Sequence, residues 1–228
     1  MLSRAKNFLL EIIFPIHCVG CGSEGEWLCE NCAHKIQLNA QQFCPVCWQA
    51  NLGGRVCVRC SSPLDGLRVA ASYQKNPELA HAIQTLKYKF SEPLAANLAA
   101  ILARSISSKN YQAERIVVPI PLHKKRLRWR GFNQAELLAR FVSSKLNLPF
   151  AHGLTRTKNT AQQAKLSRAE RIRNLAAAFE LAPDFSPQGK TILLVDDVAS
   201  TGTTLVEAAK ILKQNGAQEV WGLVLARK

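Results

Sequence analysis

The sequence predicts an α/β protein: a mostly parallel sheet with helices on both faces, preceded by a small cysteine-rich module. Two observations support this prediction. From Leu67 onward, short apolar runs alternate with segments of helical periodicity, which is typical of a parallel sheet. Before that point, all eight cysteines fall within residues 18–60. We therefore place a boundary in the turn-rich stretch 61–66 and expect two domains, residues 1–62 and residues 67–228.

The cysteines form four C-x-x-C pairs. Each pair makes a tight turn that directs two thiolates at one metal ion, and two pairs complete a tetrahedral Cys₄ zinc site. A disulfide framework would need a secretory context, which the sequence lacks. We therefore predict two structural Zn²⁺ ions. The simplest arrangement joins neighbouring pairs, and interleaved pairing also fits the spacing. The predicted ligands are Cys18, Cys21, Cys29, Cys32, Cys44, Cys47, Cys57 and Cys60.

The first sixteen residues resemble a signal peptide only in part. Arg4 and Lys6 precede an apolar stretch, but Glu11 interrupts it and no small-residue cleavage site follows. We interpret the stretch as a short amphipathic helix whose packing stripe runs from Phe8 to Ile13. Because no apolar run approaches the length of a membrane span, we expect a cytoplasmic protein.

The elements after the boundary follow in chain order. Buried apolar runs predict strands at 67–73, 115–120, 190–196 and 218–226. Helical periodicity predicts helices at 78–88, 93–106, 133–146, 168–177 and 204–214. Prolines close the second strand, a capping-box pair opens the helix at 168, and Asn215-Gly216 ends the last helix. In such a fold, a ligand crevice is expected at the carboxyl ends of the strands.

The positive charge is concentrated in one part of the chain. The formal net charge is +14, and residues 115–173 hold 14 basic but only 2 acidic residues. Residues 1–66 and 191–228 are each neutral in formal charge. Four thiolates around each Zn²⁺ would make the cysteine-rich module negative. We therefore expect any phosphate-binding surface to lie on the larger domain.

Residues 192–204 are the most informative stretch. Four apolar residues predict a strand buried on both faces, and Asp196 and Asp197 follow where we expect that strand to end. Small and hydroxylated residues lead to a helix that starts near Thr204. A strand, a short loop and a helix N-terminus present N–H groups and a positive dipole end to an anion. Paired carboxylates beside such a loop suit a ribose 5-phosphate, which offers vicinal hydroxyls next to a phosphate.

Two other interpretations of this stretch carry less weight. A strand that ends in Asp-Asp also occurs in sites that hold Mg²⁺ for nucleotide hydrolysis. The sequence, however, has neither the G-x-x-x-x-G-K-[ST] pattern of a P-loop nor a G-x-G-x-x-G pattern. A purely structural strand–turn–helix would place two carboxylates side by side without a ligand, which is costly.

The same stretch resembles the phosphoribosyl pyrophosphate (PRPP) motif of type I phosphoribosyltransferases. The resemblance implies that Asp196 and Asp197 hold the ribose hydroxyls and act in catalysis. It also implies that the following loop binds the 5′-phosphate and that Mg²⁺ accompanies PRPP. The loop residues are Ala199, Ser200, Thr201, Gly202 and Thr203.

A second candidate segment follows the strand predicted at 115–120. In a phosphoribosyltransferase, the loop at this place faces the pyrophosphate of PRPP. Arg130 is the favoured contact because it lies where a helix opens. We interpret Trp129 and Phe132 as packing residues rather than base-stacking platforms. The candidate phosphate-binding residues in this predicted loop are Lys124, Lys125, Arg126, Arg128 and Arg130.

A third candidate segment spans residues 156–163. It occupies the place where type I enzymes carry a mobile loop that closes over PRPP. Because it has no apolar anchors, we expect it to be loosely packed when open. Arg156 and Lys158 are its candidate catalytic residues.

The order of the motifs resembles one family in particular. A Phe-Pro-x-His-Cys opening leads into the cysteine-rich segment, and three motifs follow in this order: Leu86-Lys87-Tyr88, Arg130-Gly-Phe-Asn-Gln134 and the PRPP motif. On these motifs the chain is identified as a member of the ComF/GntX family over essentially its whole length. The resemblance implies a double zinc ribbon joined to a type I phosphoribosyltransferase-like domain. It also implies a role in natural transformation or DNA uptake, with handling of incoming single-stranded DNA.

Two functional hypotheses follow. In the first, the protein binds PRPP and single-stranded DNA during DNA uptake and contacts a protein of the uptake machinery through its zinc ribbon. In the second, it is an active Mg²⁺-dependent phosphoribosyltransferase in nucleotide or nucleobase salvage. The two differ in whether PRPP is turned over, and no segment identifies a binding site for an acceptor base.

Overall fold

A computed structural model describes residues 15–51, 53–89, 91–106, 115–158 and 178–228. Three predicted segments lie outside the described residues: the N-terminal helix, the helix at 168–177, and residues 159–163 of the mobile loop. The elements in chain order are α1 (Glu30–Lys35), β1 (Gln42–Phe43), β2 (Ala50–Asn51), β3 (Gly66–Ser72), α2 (Pro77–Tyr88), α3 (Glu92–Arg104), β4 (Arg115–Pro119), α4 (Lys124–Arg130), α5 (Gln134–Leu146), β5 (Leu154–Arg156), β6 (Phe179–Leu181), β7 (Thr191–Ala199), α6 (Thr203–Gln214) and β8 (Glu219–Arg227).

The central sheet confirms the predicted fold class. Four strands pair in the order β3-β8-β7-β4, and every pairing is parallel. Leu193 of β7, for example, lies opposite Trp221 of β8 on one side and Val117 of β4 on the other. The structure contains all four predicted strands and four of the five predicted helices. Their bounds agree with the prediction to within about three residues, as expected for element ends.

Helices cover both faces of this sheet, as predicted. Alternate residues of β7 point to opposite faces, because side chains in a strand alternate. Leu193 and Val195 belong to a core that they share with buried residues of α2, α3 and α5. Ile192 and Leu194 belong to a second core, which includes the buried face of α6. The carboxyl ends of the four strands therefore meet at one open edge between these helical layers.

The structure differs from the sequence-based expectations at three places. The strand predicted to end at Asp196 continues through the Asp-Asp pair to Ala199, because β7 remains paired with β8 up to that residue. Residues 124–130 form the helix α4 rather than a loop. His123 accepts a hydrogen bond from the Lys125 backbone at one end of α4, and Gly131 closes the other end in a left-handed conformation. Arg156 lies in an antiparallel pair, β5 with β6, that was not predicted.

The cysteine-rich module covers the edge strand β3. One side of β3 pairs with β8, and its other side exchanges backbone hydrogen bonds with the module. The backbone N–H of Leu67 donates to the Gly54 carbonyl at 2.9 Å. The side chain of Gln42 accepts from the Val69 N–H at 3.0 Å and donates to the Val69 carbonyl at 3.2 Å. The module thereby pairs backbone groups that an uncovered edge would leave to solvent.

The module also shares its core with the larger domain. Cys18, Leu28 and Cys32 are buried in the same cluster as residues of the sheet. Within the predicted boundary, the Asp65 carboxylate accepts a hydrogen bond from the Val220 N–H at 2.6 Å and pairs with Lys213 at 2.8 Å. The segment between the two predicted domains is therefore fixed to the sheet.

Candidate functional site

A cleft of about 790 Å³ opens at the carboxyl ends of the four parallel strands. This is the place at which an α/β sheet of this kind is expected to bind a ligand. The lining includes six cationic side chains and two carboxylates. The cations are Lys87, Lys125, Arg126, Arg130, Arg156 and Lys228, and the carboxylates are Asp196 and Asp197. An anionic ligand is therefore favoured here.

The two carboxylates are held by their own strand and by one lysine. Each accepts a hydrogen bond from the next backbone N–H: Asp196 from Asp197 at 2.8 Å, and Asp197 from Val198 at 2.9 Å. The second oxygen of Asp197 lies 2.7 Å from Nζ of Lys87, at the end of α2. Asp197 is 5% exposed, so this ion pair is largely shielded from water.

Charge and burial shift the pKa values of these groups. Burial, and then the charge of Asp197, raise the pKa of Asp196 well above its usual value, against the opposing effect of Lys87. Burial by itself would lower the pKa of Lys87, but the charges of Asp197 and Asp196 outweigh it and raise that pKa. Lys87 is therefore a firmly charged partner for the carboxylate pair.

The predicted 5′-phosphate loop forms a small adjoining cavity. Residues 199–203 line it together with Asp196, so the loop and the carboxylate face a continuous space. Gly202 has φ of 75° and is the N-cap of α6. It supplies no capping side chain, and the first N–H groups of a helix have no partner within the helix. Thr201 and Thr203 hydroxyls lie 2.7 Å apart and add hydrogen-bonding groups.

Helix α4 brings three of its five cations to the cleft. Lys125, Arg126 and Arg130 line it, whereas Lys124 and Arg128 are exposed on the same helix outside the lining. Arg130 donates to the Gln134 side chain, at the start of α5. Its Nε is buried without a hydrogen-bond partner among the described residues. A ligand oxygen would satisfy that donor.

Arg156 also reaches the cleft, but from a strand rather than from a loosely packed lid. Arg156 is 8% exposed, and its guanidinium lies 5.4 Å from the centre of the Phe179 ring on the paired strand. Burial, and then the charge of Arg126, lower the pKa of Arg156 to about 10. Lys158 is exposed and lies outside the lining. The expectation of loose packing is therefore wrong for Arg156.

The eight cysteines form two clusters of four, in the simpler of the two pairing patterns. Cys18, Cys21, Cys29 and Cys32 form one cluster, and Cys44, Cys47, Cys57 and Cys60 form the other. Within each cluster the sulfur atoms lie within 4.8 Å of one another, which suits four thiolates around one Zn²⁺.

Local hydrogen bonds favour the thiolate form of some of these cysteines, whereas burial raises the pKa of Cys32 to about 12. The sulfur of Cys18 accepts hydrogen bonds from the backbone N–H groups of Gly20 at 3.4 Å and Cys29 at 3.3 Å. Hydrogen bonding with Ser23 lowers the pKa of Cys21 to about 6. The donor set and its surroundings therefore fit structural zinc.

Several residues of the cleft were not predicted as site residues, although Lys87 and Tyr88 belong to one of the family motifs. Lys87 lies on a helix distant in sequence from Asp197, so only the fold reveals their ion pair. Lys228 and Tyr88 likewise reach the cleft through tertiary structure. Phe132 is buried, as predicted, but Trp129 is 73% exposed and lines the cleft, so its interpretation as a packing residue was wrong.

Comparison with known proteins identifies the two parts of the chain and its family. Residues 9–61 match a double zinc ribbon domain, and residues 133–228 match a phosphoribosyl transferase domain. The chain is 32% identical to the DNA utilization protein YhgH of Escherichia coli (strain K12) over 211 residues, 87% of this chain and 91% of that protein. The chain belongs to the ComF/GntX family. Competence protein F of Haemophilus influenzae, a further relative, is 30% identical over 87% of this chain and 96% of its own length.

Similarity to solved structures is weaker. A hypoxanthine phosphoribosyltransferase from Staphylococcus aureus is 15% identical, with a TM-score of 0.38, over 60% of this chain and 65% of that chain.

Within the described part of this ComF/GntX chain, no helix has the length and apolar character needed to span a membrane.

Proposed function

We propose that this ComF/GntX protein binds PRPP in the cleft and handles incoming single-stranded DNA during DNA uptake. The observation that carries the proposal is the convergence of an Asp-Asp pair, a helix N-terminus and several cations at one edge of a parallel sheet. Ribose hydroxyls need acceptors, and phosphates need N–H donors and cations. The cleft offers both kinds of group side by side.

Each part of PRPP has a matching region. Asp196 and Asp197 accept hydrogen bonds from the ribose hydroxyls, and the loop 199–203 binds the 5′-phosphate. Arg126 and Arg130 bind the pyrophosphate, and Arg130 has a buried donor available for it. Mg²⁺ would neutralise the diphosphate oxygens, with Asp196 as the available carboxylate because Asp197 is engaged by Lys87.

Calorimetric titration of PRPP with Mg²⁺ tests this assignment. We expect the wild type to bind and the double variant Asp196→Ala/Asp197→Ala to lose measurable affinity. Asp184→Asn is the matched control, because Asp184 is an exposed carboxylate outside the cleft. Absence of PRPP binding by the wild type, or unchanged binding by the double variant, would overturn the assignment.

The second ligand is single-stranded DNA. Two observations favour it: the curated relatives are named for DNA utilization and competence, and α4 carries five cations in seven residues. The exposed cations Lys124 and Arg128 extend the positive surface beyond the cleft. A phosphate backbone along this surface would release counterions, so affinity should fall steeply with salt.

Oligonucleotide binding at two salt concentrations tests the second ligand. Replacing Lys124, Lys125, Arg126 and Arg128 with Ala should weaken binding and reduce its salt dependence. The control variant replaces Lys145, Lys190 and Lys210, three exposed lysines outside the cleft. An affinity that salt does not change would contradict this role.

Turnover of PRPP is the alternative function. In that case, the cations of α4 and Arg156 would stabilise the departing pyrophosphate, with Lys158 acting from the adjoining segment. Release of pyrophosphate from PRPP in the presence of nucleobases would reveal turnover.

We further propose a cytoplasmic location, since the eight cysteines form no disulfide bond. We also propose a protein partner at the zinc ribbon, where Val58 is fully exposed.

A further inference from the structure

Two aromatic side chains at the mouth of the cleft have little packing role. Trp129 of α4 is 73% exposed and Tyr88, at the end of α2, is 69% exposed, yet both line the cleft. Helix α4 buries none of its residues, so Trp129 does not anchor it. One exposed ring would need no explanation, but two at the opening of one cationic cleft suit a ligand with flat apolar groups.

The other aromatic residues nearby are already engaged. Phe132 is 7% exposed and belongs to the interior. Tyr73 also lines the cleft, but Lys228 lies 5.0 Å from the centre of its ring, and its hydroxyl accepts a hydrogen bond from Gln84 at 3.0 Å. Tyr88 and Trp129 are therefore the lining aromatic residues whose ring faces remain most open to a ligand.

Each of these two rings is next in sequence to a cation that is fixed inside the cleft. Lys87, before Tyr88, pairs with Asp197 at 2.7 Å. Arg130, after Trp129, is held by Gln134. The same arrangement thus occurs twice, on two different helices: an anchored cation inside the cleft and an open ring at its rim. Nucleotides have the complementary pair of groups, a phosphate and a flat base.

We propose that Tyr88 and Trp129 form an aromatic rim that stacks unpaired bases of single-stranded DNA, while the exposed cations of α4 hold its phosphates. The inference rests on the proposed binding of single-stranded DNA and names the residues that recognise its bases. Stacking on a ring face accepts every base, so the rim adds affinity without reading sequence. Base-paired DNA has its bases stacked already and gains nothing from the rim.

The test compares a labelled oligothymidylate with an abasic strand of the same length, which keeps the phosphates and lacks the bases. Fluorescence anisotropy with the full chain should show about tenfold weaker binding for Tyr88→Leu and for Trp129→Leu. The slope of affinity against salt should stay unchanged, because no phosphate contact is lost. The abasic strand should bind the wild type as weakly as the oligothymidylate binds the double variant.

Leu127→Ala is the matched control, since Leu127 is a 40% exposed apolar residue of the same helix that does not line the cleft. Equal binding of both strands by the wild type, or wild-type affinity in both aromatic variants, would overturn the rim while leaving phosphate binding intact. A wild type that binds neither strand would overturn the proposed DNA ligand as well. Aromatic-dependent binding of free thymidine but not of the strand would assign the rim to a free acceptor base and overturn the proposal.

Discussion

Lys87 supplies the positive charge that two adjacent carboxylates in one cleft require. Asp196 and Asp197 repel each other, and burial weakens the screening that water would provide. The ammonium group at 2.7 Å from Asp197 offsets part of this repulsion. The cleft can therefore keep these two carboxylates close together before any ligand arrives.

Lys87→Met should destabilise the fold, because it leaves Asp197 shielded from water without its cation. We expect a loss of about 1–3 kcal/mol in the free energy of unfolding, less than for a fully buried pair, because the Lys87 side chain keeps 28% of its exposure. Urea denaturation measures it. Lys87→Arg should retain most of the stability, and adding Asp197→Asn to Lys87→Met should restore part of it. A Lys87→Met variant as stable as the wild type would contradict this role.

Asp196→Asn should stabilise the fold at neutral pH, in contrast to Lys87→Met. An acid whose pKa is raised by folding binds its proton more tightly in the folded state. Stability therefore falls as the pH rises from the usual carboxyl range through the raised pKa, and it stays lower above that value. Because Asn cannot ionise, we expect the melting temperature at neutral pH to rise by about 2–4 °C, which corresponds to roughly 1 kcal/mol.

Thermal melting across acid and neutral pH checks this expectation. The advantage of Asp196→Asn should shrink as the pH falls, while its affinity for PRPP is lost at every pH. Asp184→Asn, at an exposed site, should show neither effect. Equal melting temperatures for Asp196→Asn and the wild type at neutral pH would show that the ionised carboxylate costs nothing.

Among the elements, the turn from β7 into α6 depends on one backbone conformation. Gly202 has φ of 75°, and a Cβ atom added there would meet nothing within 4 Å. Gly202→Ala should therefore cost about 1 kcal/mol through the backbone alone. Gly189 has φ of 69° with equally open surroundings and lies away from the cleft, so Gly189→Ala is a matched control.

The two alanine variants should lose similar stability but differ in binding. Only Gly202→Ala should weaken PRPP binding, by about tenfold or more, since it shifts the N–H groups that we propose bind the 5′-phosphate. Chemical denaturation and calorimetry measure the two quantities. Equal loss of PRPP affinity in both variants would contradict a specific role of the Gly202 conformation in PRPP binding.

The long elements were predictable from the sequence, and the short ones were not. Strands such as β7 and helices such as α5 carry a full hydrophobic period, which local sequence reveals. Helix α4 has seven residues, five of them basic, and is fixed by its two ends rather than by a buried face. β5 and β6 have three residues each and pair across a segment that gives no local signal.

The candidate site was predictable to a similar extent. The Asp-Asp pair and its loop are contiguous in sequence, so their chemistry could be inferred from residue types. The roles of Lys87 and Tyr88 depend on α2 ending beside β7, more than a hundred positions away in the chain. Residues of this kind become visible only when the fold brings them together.

At the scale of the molecule, we expect zinc binding and sheet stability to be coupled. The module forms hydrogen bonds along β3, and Cys18 and Cys32 lie in the core beneath the sheet. Removal of zinc by a chelator should therefore lower the melting temperature of the whole chain by at least about 10 °C, in a single transition. Calorimetry measures it, and excess Zn²⁺ should reverse the effect. Two independent transitions, with the larger one unchanged, would contradict the coupling.

The cover on β3 also bears on the order of events during synthesis. The cysteine clusters leave the ribosome before the strand that they cover, and β8, the partner of β3 in the sheet, is made well after β3. A metal-loaded module is then ready to receive β3 as it emerges. During the interval before β8 is complete, the module would hold that strand in place and shield it from neighbouring nascent chains.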